Sequence, residues 1–253
     1  MYKKYFLCFL GLTLAAMFSP AHAEKSWVAE EILTQLAELK RDNHQLRAEI
    51  KQIKEQLSAL ESVSVKKNKR PKIALDEDFI LGEHNDKAKV AIVEFSDFEC
   101  SFCRRHLLQT LPQLKKNYID TGKMQYVMRD FPLDSHRNAK SAAIAANCAG
   151  AQNAYWPMHE KLFTTKGAKG KPLYLQIAKQ LLLDEDKFTT CLESPEQAQE
   201  VAADLAYGQS VGVSGTPAFF VGKLEDGHIV DAVFINGAQS YEKFSKVIDS
   251  FLN

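Results

Sequence analysis

Three kinds of apolar spacing divide the chain of 253 residues. From Tyr5 to Phe18 the residues are apolar almost without interruption. Farther on, apolar residues recur at steps of four and three, at Ile32, Leu36, Leu39, Leu46, Ile50, Ile53, Leu57 and Leu60, with Asn43 as one polar interruption. That stripe, free of Gly and Pro from Trp27 to Leu60, predicts a coiled-coil helix over 24–61. From Lys89 onward the pattern changes to short strand-like runs, the first being Val90-Ala91-Ile92-Val93-Glu94-Phe95.

Lys3 and Lys4 precede the first apolar run and Ala21-His22-Ala23 follows it. That order is an export signal over 1–23, cleaved before Glu24. The run is short for a membrane span, which needs roughly 20 residues, so cleavage is favoured over an uncleaved anchor. Cys8 lies in the run and leaves with it. The leader has a bacterial style, so the expected compartment is the periplasm, with envelope or surface association as a variant.

In the heptads Leu36, Asn43, Ile50 and Leu57 occupy a positions, and Leu39, Leu46 and Ile53 occupy d positions. An a-position Asn fixes register and favours a parallel dimer, while Ile at d leaves a trimer open. Asp42 with Arg47 and Glu49 with Lys54 are complementary g–e pairs. A stripe so narrow fits self-association better than packing of the helix on its own domain. Ser62 to Lys72 breaks the heptads and ends in Pro71-Lys72, so 62–77 is expected to be a basic, poorly ordered linker. Its Lys66, Lys67, Lys69, Arg70 and Lys72 could touch anionic lipid, but a solvated hinge is the simpler reading. Lys+Arg and Asp+Glu are 32 each, which gives no bias toward nucleic acid, and no nucleic-acid partner is expected.

Export changes the meaning of the remaining cysteines, Cys100, Cys103, Cys148 and Cys191, an even set for an oxidising compartment. Cys100-Ser101-Phe102-Cys103 falls between the buried strand run and a helix expected over Arg104 to Tyr118, kinked at Pro112. A helix start offers unpaired N–H groups and partial positive charge, which stabilise a thiolate. Cys100 is therefore expected to be the nucleophile. Cys103, one turn behind and more buried, is the expected resolver of the mixed disulfide. Glu94, an acid inside the apolar run, is a candidate proton acceptor for Cys103; the alternative is a carboxylate that reaches solvent. Three ligands on one helix, Cys100, Cys103 and His106, are too few for a structural zinc, so no metal is expected. His84, His136, His159 and His228 read as surface or hydrogen-bonded histidines, and Trp156 as core.

Val213 to Val221 is the second informative segment. Its Thr216-Pro217 opens a strand, and a cis bond there would turn the Thr216 backbone toward the cysteines, ready to pair with an extended substrate. Glu225-Asp226-Gly227 predicts a hairpin turn. Between the two strand groups the sequence predicts helices near 137–150, 156–163, 173–183, 184–192 and 195–209, and a closing helix over 240–252.

Together, Val93 to Cys103 and Gly215 to Val221 resemble the active-site segment and cis-proline loop of the DsbA-like family of thiol–disulfide oxidoreductases. The resemblance covers about 78–253. It implies an α/β thioredoxin-like fold with an inserted helical domain at about 135–210. It also implies a redox-active Cys100–Cys103 disulfide with no other cofactor, Glu94 as the buried carboxylate, and Thr216 and Pro217 as substrate contacts, beside Ser101 and Phe102. The leading coil resembles, by architecture only, the stalk of ScsC-type proteins and of surface-associated antigens. Ser101-Phe102 differs from the Pro-His of the best-known oxidase of the family, which weakens any expectation of a strongly oxidising potential. Cys148 and Cys191 fall in the insert, where export favours a structural disulfide over two buried thiols, contributing on the order of 3–4 kcal/mol.

The expected function is thus a thiol–disulfide oxidoreductase, isomerase and/or oxidase. Its partners would be reduced or misfolded exported proteins and a membrane redox partner, either a quinone-linked oxidant or a thiol reductant. A dimeric stalk holding two clefts face to face, and Thr before the proline, favour isomerisation; the DsbA-like domain favours oxidation. The competing reading is a surface-associated or chaperone-like binding protein whose redox centre is incidental.

Overall fold

The computed structural model describes residues 20–67, 71–75, 79–82 and 88–253. Residues 1–19 of the expected leader, and His84, lie outside the described residues. Two compact units divide between Asn68 and Lys69.

The first unit is one helix, α1 (Pro20–Lys67). It begins ahead of Glu24 and runs past Leu60 into the segment expected to be an irregular linker. The heptads end there, but Ser62 to Lys67 contains no Gly or Pro, and the first breaker is Pro71. The stripe is uncovered in the single chain: Leu36 is 46% exposed and Leu39 62%, with Leu46, Ile50, Ile53 and Leu57 between them. Among the described residues no helix is long and apolar enough to cross a membrane.

Among the described residues the second unit carries six strands, β1 (Ile73–Ala74), β2 (Phe79–Leu81), β3 (Val90–Ser96), β4 (Met124–Asp130), β5 (Ala218–Glu225) and β6 (His228–Asn236), in the order β1-β6-β5-β3-β4-β2. Among the described strands only the β3–β4 pair is parallel. All seven residues of β3 are buried, as its apolar run requires of a central strand. Strands β1 and β2 correct the expected boundary at 78. Ile73 pairs with Ile229 and has no exposed surface, and Leu75 is buried too, so the domain begins inside the supposed linker. Strands of two and three residues are too short to show alternation in sequence.

After β3 come α2 (Ser101–Gln109), α3 (Leu111–Leu114) and a π-helical turn, Lys115–Ile119. The single kinked helix expected here is therefore broken at Thr110, because Pro112 supplies no N–H to the preceding turn. Helices α4 (Ala139–Gly150), α5 (Tyr155–Thr164), α6 (Lys171–Gln180), α7 (Glu185–Leu192) and α8 (Pro195–Ser210) form the insert between β4 and β5, and α9 (Tyr241–Leu252) closes the chain. Asp184 and Ser194 cap α7 and α8 by accepting from Lys187 N and Glu196 N. A disulfide joins Cys148 of α4 to Cys191 of α7.

One sheet face packs Ile92, Tyr126 and Phe219 against Leu114, Phe244 and Ile248. The other packs Val93, Phe95 and Phe220 against Phe131, with Tyr207 alongside. Alanines of α4 fill a third core with Met158 and Phe188, and Cys100 and Cys103 belong to it. At the β5–β6 hairpin Asp226 (φ 47°) and Gly227 (φ 68°) are both left-handed, which is what a two-residue turn between twisted strands needs. Gly222 sits at a bulge in this pair, where a Cβ would lie 2.5 Å from the Val230 carbonyl oxygen.

Candidate active site

The sheet brings the two sequence motifs together. Strand β5 is antiparallel to β3, with Ala218 opposite Phe95, so the loop ahead of β5 lies where β3 ends. Beyond Ser96 the chain turns through Asp97 to Glu99 and enters α2 with Cys100 at its N-cap. Asp97 fastens this turn. Its backbone carbonyl accepts from Cys100 N (3.0 Å), one carboxylate oxygen accepts from Glu99 N (2.7 Å), and the other from Leu133 N and His136 Nδ1 (both 2.8 Å). The hydrogen bond to Asp97 raises the His136 pKa above its ordinary value. Glu99 in turn accepts from the Asn138 backbone N–H at 2.7 Å, tying the turn to the start of the insert.

Both cysteines are free and buried. Their environments push them apart. The Cys103 side chain hydrogen-bonds the Cys100 sulfur, the largest effect on it; burial opposes this, and Thr216 and the N–H groups of Cys103 and Phe102 reinforce it, leaving Cys100 at about 5. Burial pushes Cys103 far up, and its hydrogen bond to Cys100 adds to the rise. The Thr216–Pro217 bond is cis, and the Thr216 carbonyl oxygen lies 3.3 Å from Cys100 Sγ. Ser101 is exposed and Phe102 half exposed, with the Arg105 guanidinium 4.8 Å from the Phe102 ring. Arg105 also donates to the Ala238 carbonyl at 3.1 Å, across from the helix.

Glu94 is buried, 2% exposed, and does not reach solvent at the strand end. Ser96 Oγ donates to its Oε1 at 2.9 Å and the Tyr126 hydroxyl donates to its Oε2. Burial raises its pKa to about 7, against the lowering by these two donors. Tyr126 also contacts His106 Nε2 at 3.0 Å. In sequence, Tyr126 is one residue of an apolar strand run, and His106 stands out only as a third metal-type ligand beside Cys100 and Cys103. The i, i+3 step from Cys103 to His106, which puts both on one helix face, was the available signal. His159 departs from the expected satisfied histidine. It is buried against Phe98 and Phe163, with Nε2 lacking a hydrogen-bond partner among the described residues. His228 Nδ1 meets the Asp226 carbonyl at 2.7 Å.

A strand, a Cys-x-x-Cys at the following helix start, and a cis-proline loop beside it define a thioredoxin-type protein with a helical insert. The thioredoxin family model Thioredoxin_4 matches residues 74–250, and the chain belongs to that family, on its DsbA-like side. The chain is 37% identical over 147 residues to the Na(+)/H(+) antiporter NhaA 1 of Salinispora arenicola, covering 58% of this chain and 22% of that one. It thus spans about a fifth of the length of that relative. It is 31% identical over 144 residues to the probable disulfide bond formation protein D of Bacillus anthracis, covering 54% of this chain and 66% of that one. In structure it is similar to alpha-DsbA1 of Wolbachia pipientis, with TM-score 0.62, 26% identity, and coverage of 71% of this chain and 92% of the other.

Proposed function

We propose that the protein is an exported thiol–disulfide oxidoreductase whose redox centre is Cys100-Ser101-Phe102-Cys103. The observation that carries this reading is the placement of Cys100 at the N-cap of α2, 3.3 Å from the Thr216 carbonyl oxygen. Names of the similar proteins, among them a probable disulfide bond formation protein, point the same way.

The Cys100 thiolate attacks a disulfide sulfur, releases one thiolate and forms a mixed disulfide. Cys103 then loses its proton to Glu94 and attacks Cys100 Sγ, forming the Cys100–Cys103 bond and releasing the second thiolate. Run backward, the same steps oxidise a client dithiol. The edge of the Thr216-Pro217 loop takes an extended client backbone, and half-exposed Phe102 offers apolar contact beside it. We place the protein in the periplasm after removal of 1–23, with reduced or misfolded exported proteins as clients and a membrane redox partner that resets the pair. The uncovered stripe of α1 supports a parallel homodimer through Leu36, Leu39, Asn43, Leu46, Ile50, Ile53 and Leu57. Pairing of two redox centres supports isomerisation alongside oxidation.

The test is acid trapping of thiols in intact cells with an alkylating mass tag, read at the peptide carrying Cys100 and Cys103. A mainly reduced pair supports isomerase or reductase work; a mainly oxidised pair makes the protein chiefly an oxidase. If Cys100→Ser leaves client disulfides unchanged, the enzyme reading is lost to that of a binding protein with an incidental redox centre.

A further inference from the structure

Phe102 is half exposed at the start of α2, where an unheld ring would turn among its rotamers. Arg105 stands three residues on, on the same helix face, and its guanidinium lies over the Phe102 ring, 4.8 Å from the centroid. The same guanidinium donates from Nη2 to the Ala238 carbonyl at 3.1 Å. Ala238 follows Gly237, whose N–H donates to the Pro217 carbonyl at 2.9 Å. Phe102, Arg105, the 237–238 segment and Pro217 thus form one connected line from the Cys-x-x-Cys to the cis-proline loop.

A tie between α2 and the segment after β6 does not by itself need Arg105. Thr110, buried at the far end of α2, makes that tie through Oγ1, which donates to the Gln239 carbonyl at 3.0 Å. The Arg105 bond is exposed, where one more hydrogen bond contributes little to stability. What Arg105 adds is a permanent cation over the Phe102 ring, anchored at the same time to the other side of the site.

We propose that Arg105 is a specificity-determining positioning residue: it holds Phe102 as a fixed apolar face beside the Thr216-Pro217 loop for clients with an aromatic side chain next to the reacting cysteine. The proposal rests on Cys100 and Cys103 being the redox pair and on Phe102 touching the client. Arg105 touches no reacting sulfur and acts through Phe102. With the client backbone along the loop edge and its sulfur at Cys100, the neighbouring side chain comes to Phe102. An aromatic ring there gains offset or edge contact that an alanine cannot make. A ring already held spares the entropy cost of fixing it when the client arrives. The gain is made in binding and not in sulfur exchange, so it belongs to KM and not to kcat.

The test uses the full chain, glutathione disulfide as oxidant, and two synthetic peptides, each with two cysteine thiols and differing only in Phe or Ala beside the first cysteine. Each turnover converts one peptide dithiol to its disulfide and one glutathione disulfide to two glutathione thiols, followed by chromatography after acid quenching. Arg105→Gln keeps an N–H for the Ala238 carbonyl and removes the cation; Arg105→Lys keeps a cation. The wild type should show the lower KM for the Phe peptide. Arg105→Gln should raise that KM roughly two- to fivefold, leaving kcat and the Ala peptide as they were, and Arg105→Lys should fall between. Phe102→Ala should level the two peptides, and Arg105→Gln added to it should change nothing more. A KM raised equally for both peptides, a loss in kcat alone, or an undiminished Arg105→Gln effect in the Phe102→Ala background overturns the proposal. If Arg105→Gln does not fold, Arg105→Lys with and without Phe102→Ala decides. A wild type that oxidises both peptides with the same KM overturns this proposal and leaves the redox reading standing; one that oxidises neither overturns both.

Discussion

Two thiols three residues apart on one helix end are driven in opposite directions by what surrounds them. The Cys103 hydrogen bond is the largest effect holding Cys100 at about 5. Iodoacetamide reactivity of the reduced chain should therefore rise with pH around an inflection near 5, and Cys103→Ala should move that inflection upward. Glu94 behaves in the reverse sense, because burial raises its pKa from 4.5 to about 7. A raised acid contributes its stability below the unfolded value and loses it as pH climbs through the folded one. Glu94→Gln should therefore match the wild type near pH 4.5 and exceed it above about pH 7, by up to about 3 kcal/mol. Denaturant midpoints across that range check the sign; a variant less stable at high pH would show that the Ser96 and Tyr126 donors outweigh the cost of burying the charge.

At the scale of elements, the insert is held to itself by the bond between α4 and α7, which closes a loop of 43 positions. Replacing Cys148 and Cys191 by Ser should lower stability by about 4 kcal/mol on chain-entropy arithmetic, measured by urea unfolding, while the second thiolate release at Cys100–Cys103 persists. The elements legible in sequence were those with a local cause. The all-apolar run of β3, the Asp226-Gly227 turn and the capped helices α7 and α8 each carry their own signal. Strands β1 and β2 do not, because what orders Ile73 is its partner Ile229, far away in the chain. The break at Thr110 is half legible: Pro112 marks a disturbance, but the π-helical turn after it, whose Asn117 and Tyr118 bond to Tyr241 and Asp249 of α9, carries no local signal. In the site, the Cys-x-x-Cys and Thr-Pro segments stand out as motifs. The Glu94–Tyr126–His106 line does not, since it exists only once β3, β4 and α2 are side by side.

For the whole molecule, the homodimer proposed from the uncovered apolar stripe of α1 can be tested by mass. Light scattering should give the mass of two chains, and Leu46→Lys, a charge at a d position, should give the mass of one without altering iodoacetamide reactivity of Cys100. A mass of three chains would replace the dimer by the trimer that Ile53 at d leaves open. The insert's crosslink has another consequence. Cys100, Cys103 and Cys148 belong to one apolar core, and Cys191 packs against it. While the new chain is still unfolded, these four thiols can pair in about three ways, of which one gives both the observed bond and an intact redox centre. A bond from Cys148 to Cys100 or Cys103 would consume the proposed redox centre before the protein had matured. Its own biogenesis thus poses the sorting problem that it is proposed to solve for others, and an already mature copy is a fitting first catalyst for the next.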